Sequence, residues 1–193
     1  MRRIIIEEIP WVYACCDADI TAADVASASR FQNEQRRAEH LAWRRVVRRE
    51  LGRNTLIEYN EVGAPIVDVA DTHISVAHGA GRVAVAISDK MVGIDIESIE
   101  RDFEHVASRY MSIEERHVTS NKHWPAMAWC AKEALYKLYG RKGLELIGDI
   151  QLQHYDTDTQ TITALIGSNN RALVEIKHDD DAVVAVAYFC EDK

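Results

Sequence analysis

The chain has 193 residues, 47% hydrophobic, 28% charged and 7% aromatic, a globular composition that excludes a disordered tail, a collagen-like fibre and a disulfide miniprotein. Its 23 Lys and Arg stand against 31 Asp and Glu, and the net charge of −8 argues against sequence-independent nucleic-acid binding over the whole surface. At about 150 residues per domain, the length admits one large domain or two small halves.

The opening Met1-Arg2-Arg3-Ile4-Ile5-Ile6 imitates a signal peptide, but Glu7 and Glu8 cut the apolar run short. No later stretch approaches the roughly 20 apolar residues of a membrane span, so a cytoplasmic protein without membrane contact is expected. Cys15, Cys16, Cys130 and Cys190 show no C-x-x-C spacing, and reduced thiols without assigned chemistry follow.

Residues 21 to 51 read as helix, with Thr21 as N-cap and the Arg/Glu/Ala/Leu-rich stretch Glu34 to Leu51 closing at Gly52. Leu56 to Tyr59 is a predicted strand and Gly63-Ala64-Pro65 a turn. His73 to Ala77 and Arg82 to Ser88 read as strands around the turn His78-Gly79-Ala80-Gly81, and Val92 to Glu97 as another. Glu114 to Ser120 is expected to be helical, followed by a helix that starts near Pro125 and ends at Tyr139-Gly140. From Glu145 on, four predicted strands, Ile150 to His154, Thr161 to Ile166, Ala172 to Lys177 and Val183 to Phe189, form a β-meander.

Two stretches recur in the same order. Ala42-Trp43 and Ala128-Trp129 open helical runs 86 residues apart, and Val83-Ala84-Val85-Ala86 returns as Val184-Ala185-Val186-Ala187, 101 residues on. The pattern predicts an α+β fold of two similar halves, residues 1–90 and 91–193, each a long helix followed by strands. No Ser/Gly/Pro-rich linker separates them, so the halves must pack directly on each other.

Asp95 and Glu97 are two apart on a strand, leave one face, and could hold a hard cation between them; a half-buried strand with one polar face is the structural alternative. Trp129, Glu133 and Lys137 fall at i, i+4 and i+8 of a helix, one stripe of aromatic, acid and base. A surface Glu133–Lys137 ion pair is the alternative there. Glu133 is the candidate third acid of an oxygen-rich site that would suit Mg²⁺. Arg37, Arg44 and Arg48 share a helix face and could clamp phosphate, whereas Arg36, Arg45 and Arg49 are expected to point elsewhere. His78 sits at a strand end, beside glycines that would let a phosphate approach the backbone.

Together, His73-Ile74-Ser75-Val76-Ala77-His78-Gly79, Gly93-Ile94-Asp95-Ile96-Glu97 and Trp129-Cys130-Ala131-Lys132-Glu133-Ala134-Leu135-Tyr136-Lys137 resemble the 4′-phosphopantetheinyl transferase superfamily, of the monomeric type that activates surfactin and enterobactin synthetases. The resemblance covers roughly residues 30 to 145, including Tyr110 to Glu115, and implies a pseudo-twofold α+β fold. It implies transfer of the phosphopantetheine arm from coenzyme A to a serine of an apo acyl or peptidyl carrier protein, with release of adenosine 3′,5′-bisphosphate. Asp95, Glu97 and Glu133 match the family's Mg²⁺ ligands, Lys137 its lysine near the pyrophosphate, His78 a coenzyme-phosphate contact, and Glu115 the acid of the middle motif. Arg37 and Arg44 match its cationic helix. Ala64 and Ala77 depart from the pattern where relatives often carry a basic residue and a serine. The alternatives are a non-catalytic module of the same fold that binds a nucleotide or carrier protein, and a Mg²⁺-dependent phosphohydrolase.

Overall fold

The computed structural model describes residues 2–10, 17–167 and 170–190, so Cys15, Cys16 and the middle of the predicted turn at Gly167-Ser168-Asn169-Asn170 lie outside the described residues. The N-terminal elements are β1 (Arg2–Glu8), α1 (Ala22–Ala28), α2 (Glu34–Leu51), β2 (Ile57–Tyr59), β3 (Pro65–Val67), β4 (His73–Gly79) and β5 (Arg82–Ser88). The C-terminal elements are β6 (Gly93–Ser98), α3 (Trp124–Tyr139), β7 (Ile150–Asp156), β8 (Thr161–Ile166), β9 (Asn170–Asp179) and β10 (Ala182–Phe189). The chain is α+β.

The helix expected over residues 21 to 51 is two helices. Thr21 caps α1 through a reciprocal box with Asp24, and Asn33 accepts from Arg36 N to start α2, so residues 29–33 turn the chain instead of continuing it. The expected helix at Glu114 to Ser120 shrinks to a single 3-10 turn at Glu115–His117. α3 begins with Pro125 in its first turn and closes at Gly140, whose φ is 63°.

β1, β5 and β4 form one antiparallel sheet and β6, β10, β9, β8 and β7 another, with β2 and β3 as a separate ribbon. The predicted meander is present as β7 to β10, with β6 added beyond β10 in the register Asp95↔Ala185. The Ile-rich opening, whose likeness to a signal peptide is cut short by Glu7 and Glu8, is β1, paired along β5.

Three apolar clusters hold these layers. Trp43, Val46 and Val47 of α2 pack on the β1-β5-β4 sheet, and Met127, Ala131, Ala134, Leu135 and Leu138 of α3 pack on the five-stranded sheet. The third cluster lies between the sheets, where Ala77, Ala84 and Ala86 meet Ile94, Ile96, Val184 and Val186. The small alanines let the two sheets approach closely: a Cβ on Gly79 would collide with the Ile96 carbonyl, and Ile94 N donates to Ser75 Oγ at 3.1 Å. At the hairpin ends Arg82, in the first sheet, reaches Asp181 at 2.7 Å, Asp179 at 3.4 Å and Asp180 at 3.6 Å in the second.

Candidate active site

α3 and β6 build the acidic centre. Gly93 opens β6 against α3 so tightly that a Cβ there would strike the Ala134 carbonyl and stand 2.7 Å from Leu138 N. That approach brings the stripe Trp129, Glu133 and Lys137 over the carboxylates of β6. Lys137 Nζ donates to Asp95 Oδ1 at 2.8 Å and to the Ile94 carbonyl at 3.0 Å, so Lys137 pairs with the strand and not with Glu133. Trp129 Nε1 donates to Glu97 Oε1 at 2.8 Å, and Arg101 Nη1 reaches both Glu97 oxygens at 3.3 and 3.4 Å.

The electrostatics of these acids are strained. Asp95 is buried, and its Oδ2 has no hydrogen-bond partner. Burial, and then the neighbouring Asp95 charge, push the Glu97 carboxyl above its ordinary range despite the Trp129 and Arg101 donors. Burial and Asp95 likewise raise Glu133, with Lys137 opposing. Among the described residues no three acids, histidines or cysteines are already gathered as a metal cluster. The orphaned Asp95 oxygen and the destabilised carboxylates nevertheless fit a hard divalent cation, which takes oxygen donors and would remove the repulsion.

A cleft of about 470 Å³ opens beside these residues, with Asp95 and Lys137 in its wall and both halves of the chain contributing to its lining. Phe31, Trp43 and Tyr59 form an aromatic side, and Arg36, Arg141 and Lys142 join Lys137 as its cations. Ala64 and Ala77 also line it, apolar at the two positions where the family pattern departs. His78 lies at its edge, 2.8 Å from Arg36 and 3.4 Å from Glu39. Gly79 serves the close packing on Ile96, so the expected role of the adjacent glycine in admitting phosphate is taken by protein.

The arginine grouping read from the sequence needs correction. Arg44 is buried and spends its donors on Asp24, His40 and the Ile57 carbonyl, while Arg48 grips Asp24 at 2.5 and 2.9 Å. Both tie α1 to α2, and neither lines the cleft. Arg37 bonds the Phe31 carbonyl and Glu34, also outside the cleft lining. Arg36, set aside in the sequence, does line it. Its signal was the stripe Arg36, His40, Trp43 at i, i+4 and i+7, which mixes residue types and is lost when arginines alone are counted.

Glu115 has a structural place in this state. Its carboxylate lies 2.8 Å from the fully buried Lys132 Nζ and accepts from the backbone of Ser112 and Leu152. Lys132 also donates to the carbonyls of Leu146 and Ile150, so both buried charges are fully hydrogen-bonded.

Among curated proteins, none matches the chain. Residues 91–187, just over half of the chain and spanning β6, α3 and the meander, match the family model described as the 4′-phosphopantetheinyl transferase superfamily. With the acidic strand, the acid-and-lysine helix stripe and the cleft they border, that match makes the chain a member of the 4′-phosphopantetheinyl transferase superfamily.

Proposed function

We propose that this member transfers the 4′-phosphopantetheine arm of coenzyme A to a serine hydroxyl of an apo acyl or peptidyl carrier protein, in a Mg²⁺-dependent reaction that releases adenosine 3′,5′-bisphosphate. The observation that carries the reading is Lys137 and Asp95 joined at 2.8 Å in the wall of a cleft with an aromatic side and further cations. The serine oxygen forms its bond to the β-phosphorus, the bond from that phosphorus to the bridging oxygen breaks, and the serine proton needs an acceptor. Glu133, with its carboxyl raised by burial and Asp95 and with no hydrogen-bond partner of its own, is the residue to take it. Lys137 brings positive charge to the phosphate oxygens as negative charge builds there. Asp95, Glu97 and Glu133 would hold the Mg²⁺, which when bound supplies Lewis-acid stabilisation of the diphosphate. Trp129 orients Glu97 for that task.

In this reading the chain is a monomer whose halves, 1–90 and 91–193, are related by a pseudo-twofold axis. The element order supports it: β1, α2 and the hairpin β4-β5 have counterparts in β6, α3 and the hairpin β9-β10. The segment from Arg101 to Asn121, which exposes Ile113 among Arg109 and Arg116, would meet the acidic carrier.

The test is intact mass of apo carrier proteins incubated with the protein, Mg²⁺ and coenzyme A. A metal-dependent gain of one phosphopantetheine arm is expected, abolished by Glu97→Ala and by Glu133→Gln with the fold retained; transfer by Glu133→Gln at the wild-type rate would remove Glu133 from the mechanism. The apolar Ala64 and Ala77 in the cleft support a second reading, a non-catalytic module, for which coenzyme binding without mass gain on any carrier is the signature. Coenzyme consumption without a carrier would instead mark a phosphohydrolase.

A further inference from the structure

Beyond the end of β6 the chain doubles back: Arg101 N donates to the Ser98 carbonyl at 3.4 Å and Phe103 N to the Arg101 carbonyl at 2.9 Å. The turn lays the Arg101 guanidinium over the Phe103 ring, 4.8 Å from its centroid, and beside the Glu97 carboxylate, where Nη1 lies 3.4 Å from Oε1 and 3.3 Å from Oε2. Phe103 is buried, and its ring centroid is 6.1 Å from that of Trp129, the other donor to Glu97. The two donors differ in kind. Trp129 is neutral and holds Oε1 at 2.8 Å, whereas Arg101 carries a full charge and straddles both oxygens.

The grip of Arg101 is also loose. Its contacts are longer than the roughly 2.7–2.9 Å of a strong guanidinium–carboxylate bond, and 57% of its side chain is exposed. Phe103 gives the guanidinium a face to rest on when Glu97 is given up. A divalent cation held by Glu97 needs the same lone pairs and is repelled by the same charge. With Lys137 on Asp95 at 2.8 Å, two cations already stand against the three acids Asp95, Glu97 and Glu133. We infer that Arg101 is the internal counter-ion of the metal site: it neutralises Glu97 in the metal-free protein, must leave when a divalent cation enters, and so holds down the affinity for that cation. The inference rests on the Mg²⁺ reading above and concerns a residue outside the motifs that carry the family resemblance.

The probe is Mn²⁺, whose free aquo ion gives a paramagnetic resonance signal that is lost on binding, titrated into the whole protein without coenzyme or carrier. Thermal melting without metal checks the fold. Arg101→Gln, at an exposed position, is expected to bind Mn²⁺ about fivefold more tightly than the wild type, the upper range for an exposed ion pair. Arg101→Lys, which keeps the charge, and Arg171→Gln, which removes an exposed arginine of β9, should both stay within about twofold of the wild type. Cutting a merely structural contact does not tighten binding, so the gain itself identifies competition. Wild-type or weaker affinity in Arg101→Gln overturns the inference, and so does an equal gain in either control, which would trace the effect to side-chain shape or to net charge. Absence of Mn²⁺ binding from the wild type and Arg101→Gln alike overturns the metal reading and this inference with it.

Discussion

Lys132 and Glu115 illustrate how much a pair of side chains can cost when divided. Both are buried and fully hydrogen-bonded, so removing one partner strands the other charge in the core. Lys132→Met is expected to destabilise the protein by about 3–5 kcal/mol, measured by urea unfolding, and the double variant Lys132→Met/Glu115→Leu should recover part of that loss. If the single variant unfolds at the wild-type midpoint, the pair carries no such weight. The sequence displays Lys132 one residue before Glu133, and nothing local to it says that one turns into the core and the other toward the carboxylates of β6. Helix geometry makes the distinction, because adjacent residues point about 100° apart. Asp95, Glu97, Glu133 and Lys137 were legible for the complementary reason: spacings of two on a strand and four on a helix fix a shared face without knowledge of the rest of the fold. Arg44 was not, since its partner Asp24 lies 20 residues away on a helix that the sequence merged with its own.

Between elements, the contact that matters most to the site is that of β6 on α3. Gly93→Ala places a methyl against the backbone of Ala134 and Leu138, where no side chain can yield. A loss of about 1–3 kcal/mol is expected from such overpacking, together with a fall in phosphopantetheinyl transfer as β6 and its carboxylates shift from Lys137. Unchanged stability and activity would mean that the helix moves away freely. The α1–α2 tie makes a pH prediction. Burial, assisted by Arg44, lowers His40 to about 4, so the folded state refuses a proton that the unfolded chain accepts near its ordinary value of 6.5. This contribution is complete above pH 6.5 and is lost as pH falls from there to about 4, a change on the order of 3 kcal/mol. Asp24 extends the decline: burial would raise its carboxyl, but the bonds from Arg48 and Thr21 win and hold it low, so its contribution fades as pH falls below 3.8 through that depressed value. His40→Gln should flatten the stability profile between pH 6.5 and 4; an unaltered slope would place the proton uptake elsewhere. The merged helix and the short β3 escaped sequence reading because Asn33 and Pro65 act as start signals only once the chain has turned.

For the molecule as a whole, the α+β class was legible because hairpins and long helices carry strong local patterns. The ordering of β6 beside β10 was not, since a pairing between residues 93–98 and 182–187 leaves no trace in local periodicity. Among the described residues no helix is long and apolar enough to cross a membrane. The cleft draws its walls from both halves, and the alanine-rich layer between the sheets is as buried as either helix-backed core. Divided at residue 90, the chain would expose that layer on each fragment. Residues 1–90 and 91–193 expressed separately are thus expected to be poorly soluble and inactive. Co-expressed, they should reassemble and regain phosphopantetheinyl transfer, whereas activity in either fragment alone would contradict a shared cleft. The Arg82 contacts with Asp179, Asp180 and Asp181 then become a tuning screw for a split reporter: Arg82→Ala would weaken reassembly without touching the cleft, so that signal depends on whatever fused proteins bring the fragments together.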